Sequence, residues 1–303
     1  MTSPRNGVAV RVESPTEGRN PRTADIDRVS TIDVLRMIND EDRKVPAAVA
    51  EALPELARAV DLGVAAISGG GRVHYVGAGT SGRLATLDAA ELVPTFNAPA
   101  DWFLAHHAGG QEALVRAVEE VEDLSGAAQI RRHAGENDLV VGVTASGRTP
   151  FVIGALEEAR ALGAHTVLVS NNASVPFTPD VLIALNTGPE AIAGSTRMKA
   201  GSAQKLVLTS FSTAVMVKLG RTYSNLMVSM RATNAKLRGR TIRILHEATG
   251  LPATECEQAL AEASGDLKVA LVHLLAGVPA DRAAKALQDA KGHVRDALEL
   301  LAR

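Results

Sequence analysis

Arg72-Val-His-Tyr-Val-Gly-Ala-Gly-Thr-Ser-Gly-Arg83 decides the fold. It reads as a short buried strand that runs into a glycine-serine turn and then into a helix. A second stretch repeats the plan: Asp138-Leu-Val-Val-Gly-Val-Thr-Ala-Ser-Gly-Arg-Thr-Pro150. Both end in Ser-Gly-Arg, at Ser81-Gly82-Arg83 and Ser146-Gly147-Arg148. Glycine lets the backbone turn sharply and come close to a ligand. The helix start that follows offers unpaired N–H groups and a positive dipole end to an anion. Serine and threonine hydroxyls add donors without charge. Two such loops converging on one phosphate are the strongest functional signal in the chain. The candidate phosphate ligands are Thr80, Ser81, Ser146 and Thr149, with the backbones of Gly82 and Gly147.

Gly77-x-Gly79-x-x-Gly82 also matches a dinucleotide fingerprint. That reading needs an acidic residue at the end of the next strand, roughly 20 residues on. The region holds Asn97 and Asp101 between prolines, with no clean strand before them. The fingerprint leaves the second loop unexplained, so a phosphate is the better ligand.

Outward from the loops, short runs rich in Val and Leu alternate with helical patterns. Strands are expected at Val73–Val76, Trp102–Ala105, Leu139–Val143, Thr166–Val169 and Val181–Leu185. Continuous apolar runs of this length suit a parallel sheet buried on both faces. Helices are expected at Gln111–Val121, Pro150–Leu162 and about Ser195–Leu219. The alternation argues for a three-layer α/β sandwich. Before the first strand, Ile26, Val29, Ile32, Leu35 and Ile38 recur at helical steps from Thr23. Pro46 opens another helix, carrying Val49, Leu53, Leu56, Val60 and Val64 to Gly69-Gly70-Gly71. Beyond about Arg240 three short helices are expected, Ala253–Ala263, Asp266–Leu275 and Ala280–Leu301. They look like a small ubiquitin-associated-like domain, a likeness of fold that implies no ubiquitin binding. The expected organisation is a loose tail at 1–22, a sugar-phosphate domain at 23–240 and a helical domain at 241–303.

Composition bounds the function. A net charge of −2 gives no reason to expect nucleic acid. Cys256 is the sole cysteine, so no intrachain disulfide forms and a reducing, cytoplasmic setting is expected. Residues 1–22 lack the apolar core of a signal peptide. No apolar run approaches the roughly 20 residues of a membrane helix. His106-His107 invites a metal reading. Neighbours on a strand point to opposite faces, and no Cys/His cluster accompanies them, so no metal or other cofactor is expected.

The paired loops resemble the sugar isomerase (SIS) fold, a flavodoxin-like parallel sheet that binds phosphorylated sugars. Further stretches sharpen the resemblance: Asp25-Ile-Asp-Arg-Val-Ser-Thr31, Met37-Ile-Asn-Asp-Glu-Asp42, Asp88-Ala-Ala-Glu91, Gly194-Ser-Thr-Arg-Met-Lys-Ala-Gly201 and Ala203-Gln-Lys-Leu206. Together they are similar to the bacterial N-acetylmuramic acid 6-phosphate etherases, over about residues 23–300. Two small departures are Ala193, where the family has threonine, and Ser202, where it often has threonine.

The resemblance implies removal of a D-lactyl group from C3 of a phosphorylated amino sugar, by elimination and then hydration. It implies Glu91 as the acid–base residue and Glu122 as a second functional glutamate. The residues alone do not pick Glu122 out of Glu119, Glu120 and Asp123, because such an acidic run is ordinarily a solvated helix face. Arg83, Arg148, Ser195, Arg197, Lys199 and Lys205 are possible contributors of charge or hydrogen bonds, and one of the two histidines could assist ring opening. The resemblance also implies a homodimer whose partner completes each site. A non-catalytic sugar-phosphate sensor would keep the loops without the two glutamates. A phosphosugar isomerase would also use a glutamate base, and differs by its product. A DNA-binding SIS regulator would need a basic helix-turn-helix, against which Asp40-Glu-Asp42 speaks.

Overall fold

The computed structural model describes residues 14–118, 120–229 and 235–303. Five strands form one parallel sheet: β1 (Val73–Gly77), β2 (Phe103–His107), β3 (Leu139–Thr144), β4 (His165–Ser170) and β5 (Val181–Ala184). Their order is β2-β1-β3-β4-β5. The chain leaves β1 toward β2 on one side and returns to β3 on the other. The carboxyl ends of β1 and β3 therefore flank a topological switch point, where open α/β sheets place their ligands. Both Ser-Gly-Arg loops emerge there. The sequence placed the second strand slightly early; its register of Val73 with Phe103 and Gly77 with His107 carries it through both histidines.

Alternation along each strand sorts the core. Val73, Tyr75, Leu139, Val141, Val143, Val167 and Ile183 face one helical layer. That layer holds α3 (Leu53–Ser68), α4 (Gly79–Phe96) and α8 (Lys199–Lys218). Val76, Val140 and Leu168 face the other, with α6 (Ala127–His133) and α7 (Pro150–Ala161). Between them in the chain, α5 (Gly110–Val115) follows β2. This is the expected three-layer sandwich, buried on both faces by helices.

The first amino-terminal helix begins later than its periodicity suggests. α1 is Thr31–Asp42, because Ser30 caps it by accepting from the Asp33 amide at 3.4 Å. α2 (Val45–Glu51) and α3 are separate where one helix was expected. Pro54 has no N–H to continue the ladder and sits in the first turn of α3. Of the expected tail, residues 1–13 lie outside the described residues. Residues 14–22 form turns with buried Thr16 and Asn20. Thr16 accepts from the Gly194 amide at 3.0 Å, and Asn20 donates to the Pro189 carbonyl at 3.3 Å.

Two further helices differ from expectation. The expected Gln111–Val121 helix stops at Val115, with Arg116 extended and Glu120 left-handed at φ 65°. Arg83 explains the stop, since its guanidinium donates to the carbonyls of Ala113, Leu114 and Arg116. α8 begins at Lys199 rather than Ser195. The buried Glu190 carboxylate accepts from the Lys199 and Ala200 amides at 3.0 and 2.9 Å, defining that start.

The carboxyl-terminal region is helical, as expected, but holds five helices rather than three. They are α9 (Ala235–Thr249), α10 (Ala253–Glu262), α11 (Leu267–Ala276), α12 (Ala280–Asp289) and α13 (Val294–Leu301). The single stretch expected over Ala280–Leu301 breaks at Lys291 and Gly292, which are left-handed at φ 52° and 83°. These helices enclose their own cluster around Leu245, Cys256, Leu267, Leu271 and Val294. α9 crosses position 240, and the cluster extends back to Val228. No helix among the described residues is long and apolar enough to cross a membrane.

Candidate functional site

The first loop is tight because two backbones meet. A Cβ on Gly82 would lie 2.5 Å from the Gly77 carbonyl oxygen and 2.6 Å from His107 Cδ2. The first turn of α4 thus sits directly on the end of β1. Thr80 and Ser81 occupy that turn, with Ser81 buried and Thr80 half-buried. In the second loop Gly147 is left-handed at φ 72°. The Ser146 hydroxyl accepts from the Arg148 amide at 3.2 Å, a local turn that orients it. Thr144 and Thr149 share a 2.7 Å hydroxyl contact at the start of α7. Two helix amino termini, from α4 and α7, are thereby aimed into one crevice.

A buried chain of amides joins the loops. Ser81 Oγ donates to Gln204 Oε1 at 2.8 Å, and Gln204 Nε2 donates to Asn171 Oδ1 at 2.9 Å. The Asn171 backbone amide donates to Ala145 O at 3.2 Å, and Asn172 Nδ2 donates to Ser146 O at 3.2 Å. Sequence reasoning missed Asn171, Asn172 and Gln204 as parts of the site. A pair of asparagines immediately after a buried strand was the available signal.

A cleft of about 420 Å³ opens beside the first loop. Asp42, Thr80, Leu84, Arg197, Ser202 and Lys205 are among the residues that line it. Arg197 and Lys205 thus keep exposed charge beside Thr80, whereas Arg148 is exposed at the second loop and Ser195 lies half-buried in the turn before α8. Two of the candidate cations are committed elsewhere. Arg83 caps α5. Lys199 is buried, its ammonium 2.5 Å from Glu41. Arg22 and Lys44 also reach Glu41, at 2.5 and 2.7 Å. The Arg22 guanidinium above all, then the two lysines, hold the Glu41 carboxyl well below the usual carboxylate range against the cost of burial.

Glu91 lies on α4, ten residues beyond Ser81 and so about 15 Å along the axis. It is exposed, on the face that also carries Thr80, Leu84 and Leu87. Glu122 is exposed in a short 3-10 turn, Val121–Asp123, that packs against α7. The two glutamates therefore belong to opposite helical layers. Among the described residues no hydrogen bond joins them, and Glu119 lies outside those residues.

The two histidines part as neighbours on a strand must. His107 turns toward the first loop, 3.2 Å from the Gly79 carbonyl oxygen. His106 turns to the other face, 3.0 Å from His74, which in turn lies 3.3 Å from Asp138. Burial, then the neighbouring His74 and His133, push His106 down to about 4. Beneath α4, buried Asp88 accepts from Tyr75 at 2.8 Å and Ser212 at 3.1 Å. Desolvation raises its carboxyl above the usual range.

The sheet order and the paired loops define a SIS domain. Residues 55–160 match the family described as the glucokinase regulatory protein N-terminal SIS domain. A phosphoheptose isomerase from Francisella tularensis has the same fold, with a TM-score of 0.50 and 19% identity over 62% of this chain and all of that one. Closer in sequence is an N-acetylmuramic acid 6-phosphate etherase from Thermobifida fusca, 60% identical across 86% of this chain and 87% of that protein. One from Symbiobacterium thermophilum is 51% identical across 85% and 87%. The chain belongs to the N-acetylmuramic acid 6-phosphate etherase family.

Proposed function

We propose that this chain cleaves the C3 lactyl ether of N-acetylmuramic acid 6-phosphate, releasing D-lactate and leaving N-acetylglucosamine 6-phosphate. The observation that carries the reading is the pair of helix starts, α4 and α7, at the switch point, with Ser81 in the first turn of α4, Thr149 capping α7 and Ser146 in the loop before it. They suit a phosphate dianion. An ether resists direct displacement, but in the open-chain sugar the C1 carbonyl acidifies the C2 proton. A base takes that proton and lactate leaves C3 as an acid protonates its oxygen. Water then adds at C3, and a proton returns to C2. Glu91 and Glu122 are the groups assigned to these transfers, and no metal is required. Thr80, Arg197 and Lys205 supply further donors and charge at the cleft.

The working assembly is a homodimer, since α4 holds Glu91 some three turns from the phosphate loop and leaves it exposed. Ile32, Leu35 and Leu87 are each more than half exposed in the isolated chain, a surface suited to a second copy. The substrate is a small phosphorylated amino sugar, met in the cytoplasm, where the lone buried Cys256 stays reduced. The site belongs to a sugar-phosphate unit that ends ahead of α9, and the helices beyond form a separate unit.

Release of lactate from N-acetylmuramic acid 6-phosphate by the purified chain tests the reaction. Run in deuterated, 18O-labelled water, the product is expected to carry solvent deuterium at C2 and solvent oxygen at C3. Retention of the original C3 oxygen would mean cleavage on the lactyl side. An isomerised sugar with its lactyl group intact would favour an isomerase. The cradle has its own test in Ser146→Ala, which removes a donor to a charged acceptor, a loss of about 1.5–3 kcal/mol. The expected result is a raised KM with kcat less affected. An unchanged KM would remove Ser146 from the cradle.

A further inference from the structure

The amide chain behind the first loop has a direction. Asn171 Nδ2 faces the Leu185 carbonyl oxygen at 3.5 Å and Thr187 Oγ1 at 3.2 Å. A carbonyl can only accept, so the asparagine nitrogen must point that way and its oxygen toward Gln204. Gln204 then presents its nitrogen to Asn171 and its oxygen to Ser81. A serine hydroxyl has one proton. Ser81 therefore spends it on Gln204 and turns lone pairs toward the crevice.

A phosphate dianion needs donors. We propose that Gln204 is a positioning residue that competes with the ligand phosphate for the single Ser81 proton. Binding swings the hydroxyl from Gln204 Oε1 to a phosphate oxygen and leaves the buried amide oxygen without its donor. Gln204 thus sets the phosphate affinity of the first loop from behind, without touching the sugar. The proposal rests on the reading of Ser81 as a phosphate ligand.

Two substitutions should move KM in opposite directions. Gln204→Met keeps the length but removes the acceptor, which frees the Ser81 proton. KM for the phosphosugar is expected to fall about three- to tenfold, the worth of one hydrogen bond. Gln204→Glu keeps the acceptor and adds charge behind the loop, and KM is expected to rise at least about tenfold. Inhibition by inorganic phosphate should shift in the same two directions. In a Ser81→Ala background the Gln204→Met change should vanish. A merely structural glutamine would raise KM in both variants, and that result overturns the proposal. So does an unchanged KM in Gln204→Glu; where Gln204→Met does not fold, Gln204→Leu removes the same acceptor and its KM carries the same discrimination. Ser81→Ala itself should raise KM. If it does not, the phosphate reading of Ser81 fails and takes the proposal with it.

Discussion

Glu91→Gln is expected to lower lactate release by about 10²–10⁴-fold, the usual worth of a general acid–base group. The substitution keeps the shape of the side chain and removes its exchangeable proton. The Glu91 side chain is exposed on α4, so folding should be unaffected. Binding of the phosphosugar should survive, because the phosphate loops are untouched. The expected pattern is a collapsed kcat with a similar KM, and normal thermal unfolding. Glu122→Gln should also be impaired, to a smaller degree. A fully active Glu91→Gln enzyme would remove the role that the family resemblance implies. Because Glu91 lies about three turns from Ser81, its partner is expected to be a sugar seated at the joint between two copies. Mixing Glu91→Gln chains with the high-KM Ser81→Ala chains should then raise activity at low substrate above that of either variant alone, which independent sites in each chain would not do.

Glu41→Gln is expected to cost about 3–5 kcal/mol of stability, read from chemical denaturation. Lys199 is almost wholly buried and faces Glu41 at 2.5 Å. Neutralising the carboxylate strands that ammonium in the interior and also releases Arg22 and Lys44. The loss should be cooperative, with Glu41→Met plus Lys199→Met less damaging than the two single costs added. A cost below about 1 kcal/mol, the range of exposed pairs, would show that solvent reaches the cluster. The pH dependence follows from the same geometry. The carboxyl of Glu41 is held below its unfolded value of about 4.3. Its contribution is therefore present in full above that value and is lost as pH falls through it toward the depressed folded value. Acid unfolding of Glu41→Gln should be correspondingly flatter over that window.

The sandwich and the crevice were legible in local pattern. Val-rich runs of five or six residues ending in glycine and serine can be little else than buried strands entering helices, and two copies of the motif imply a shared anion. Helix starts and stops were read less well where the deciding group is remote. Arg83 ends α5 by reaching 30 residues along the chain to Ala113, and Glu190 sets where α8 begins. Gly292 was a visible stop signal that periodicity over Ala280–Leu301 overrode.

By itself the sequence determined the strand–helix alternation and the two Ser-Gly-Arg loops at the ends of buried strands. These follow from backbone preference and from side-chain spacing over a few residues, which every local window displays. Only the tertiary structure decided how the polar side chains are spent. Lys199 looked available beside Arg197, yet packing drives it against Glu41, 158 positions away. Gln204 stood only as part of the stretch Ala203-Gln-Lys-Leu206 with no role of its own, yet α8 packs it between Ser81 and Asn171. The physical reason is that burial and pairing of a charge or amide depend on which distant elements close over it, and a desolvated polar group takes the partner that the fold supplies.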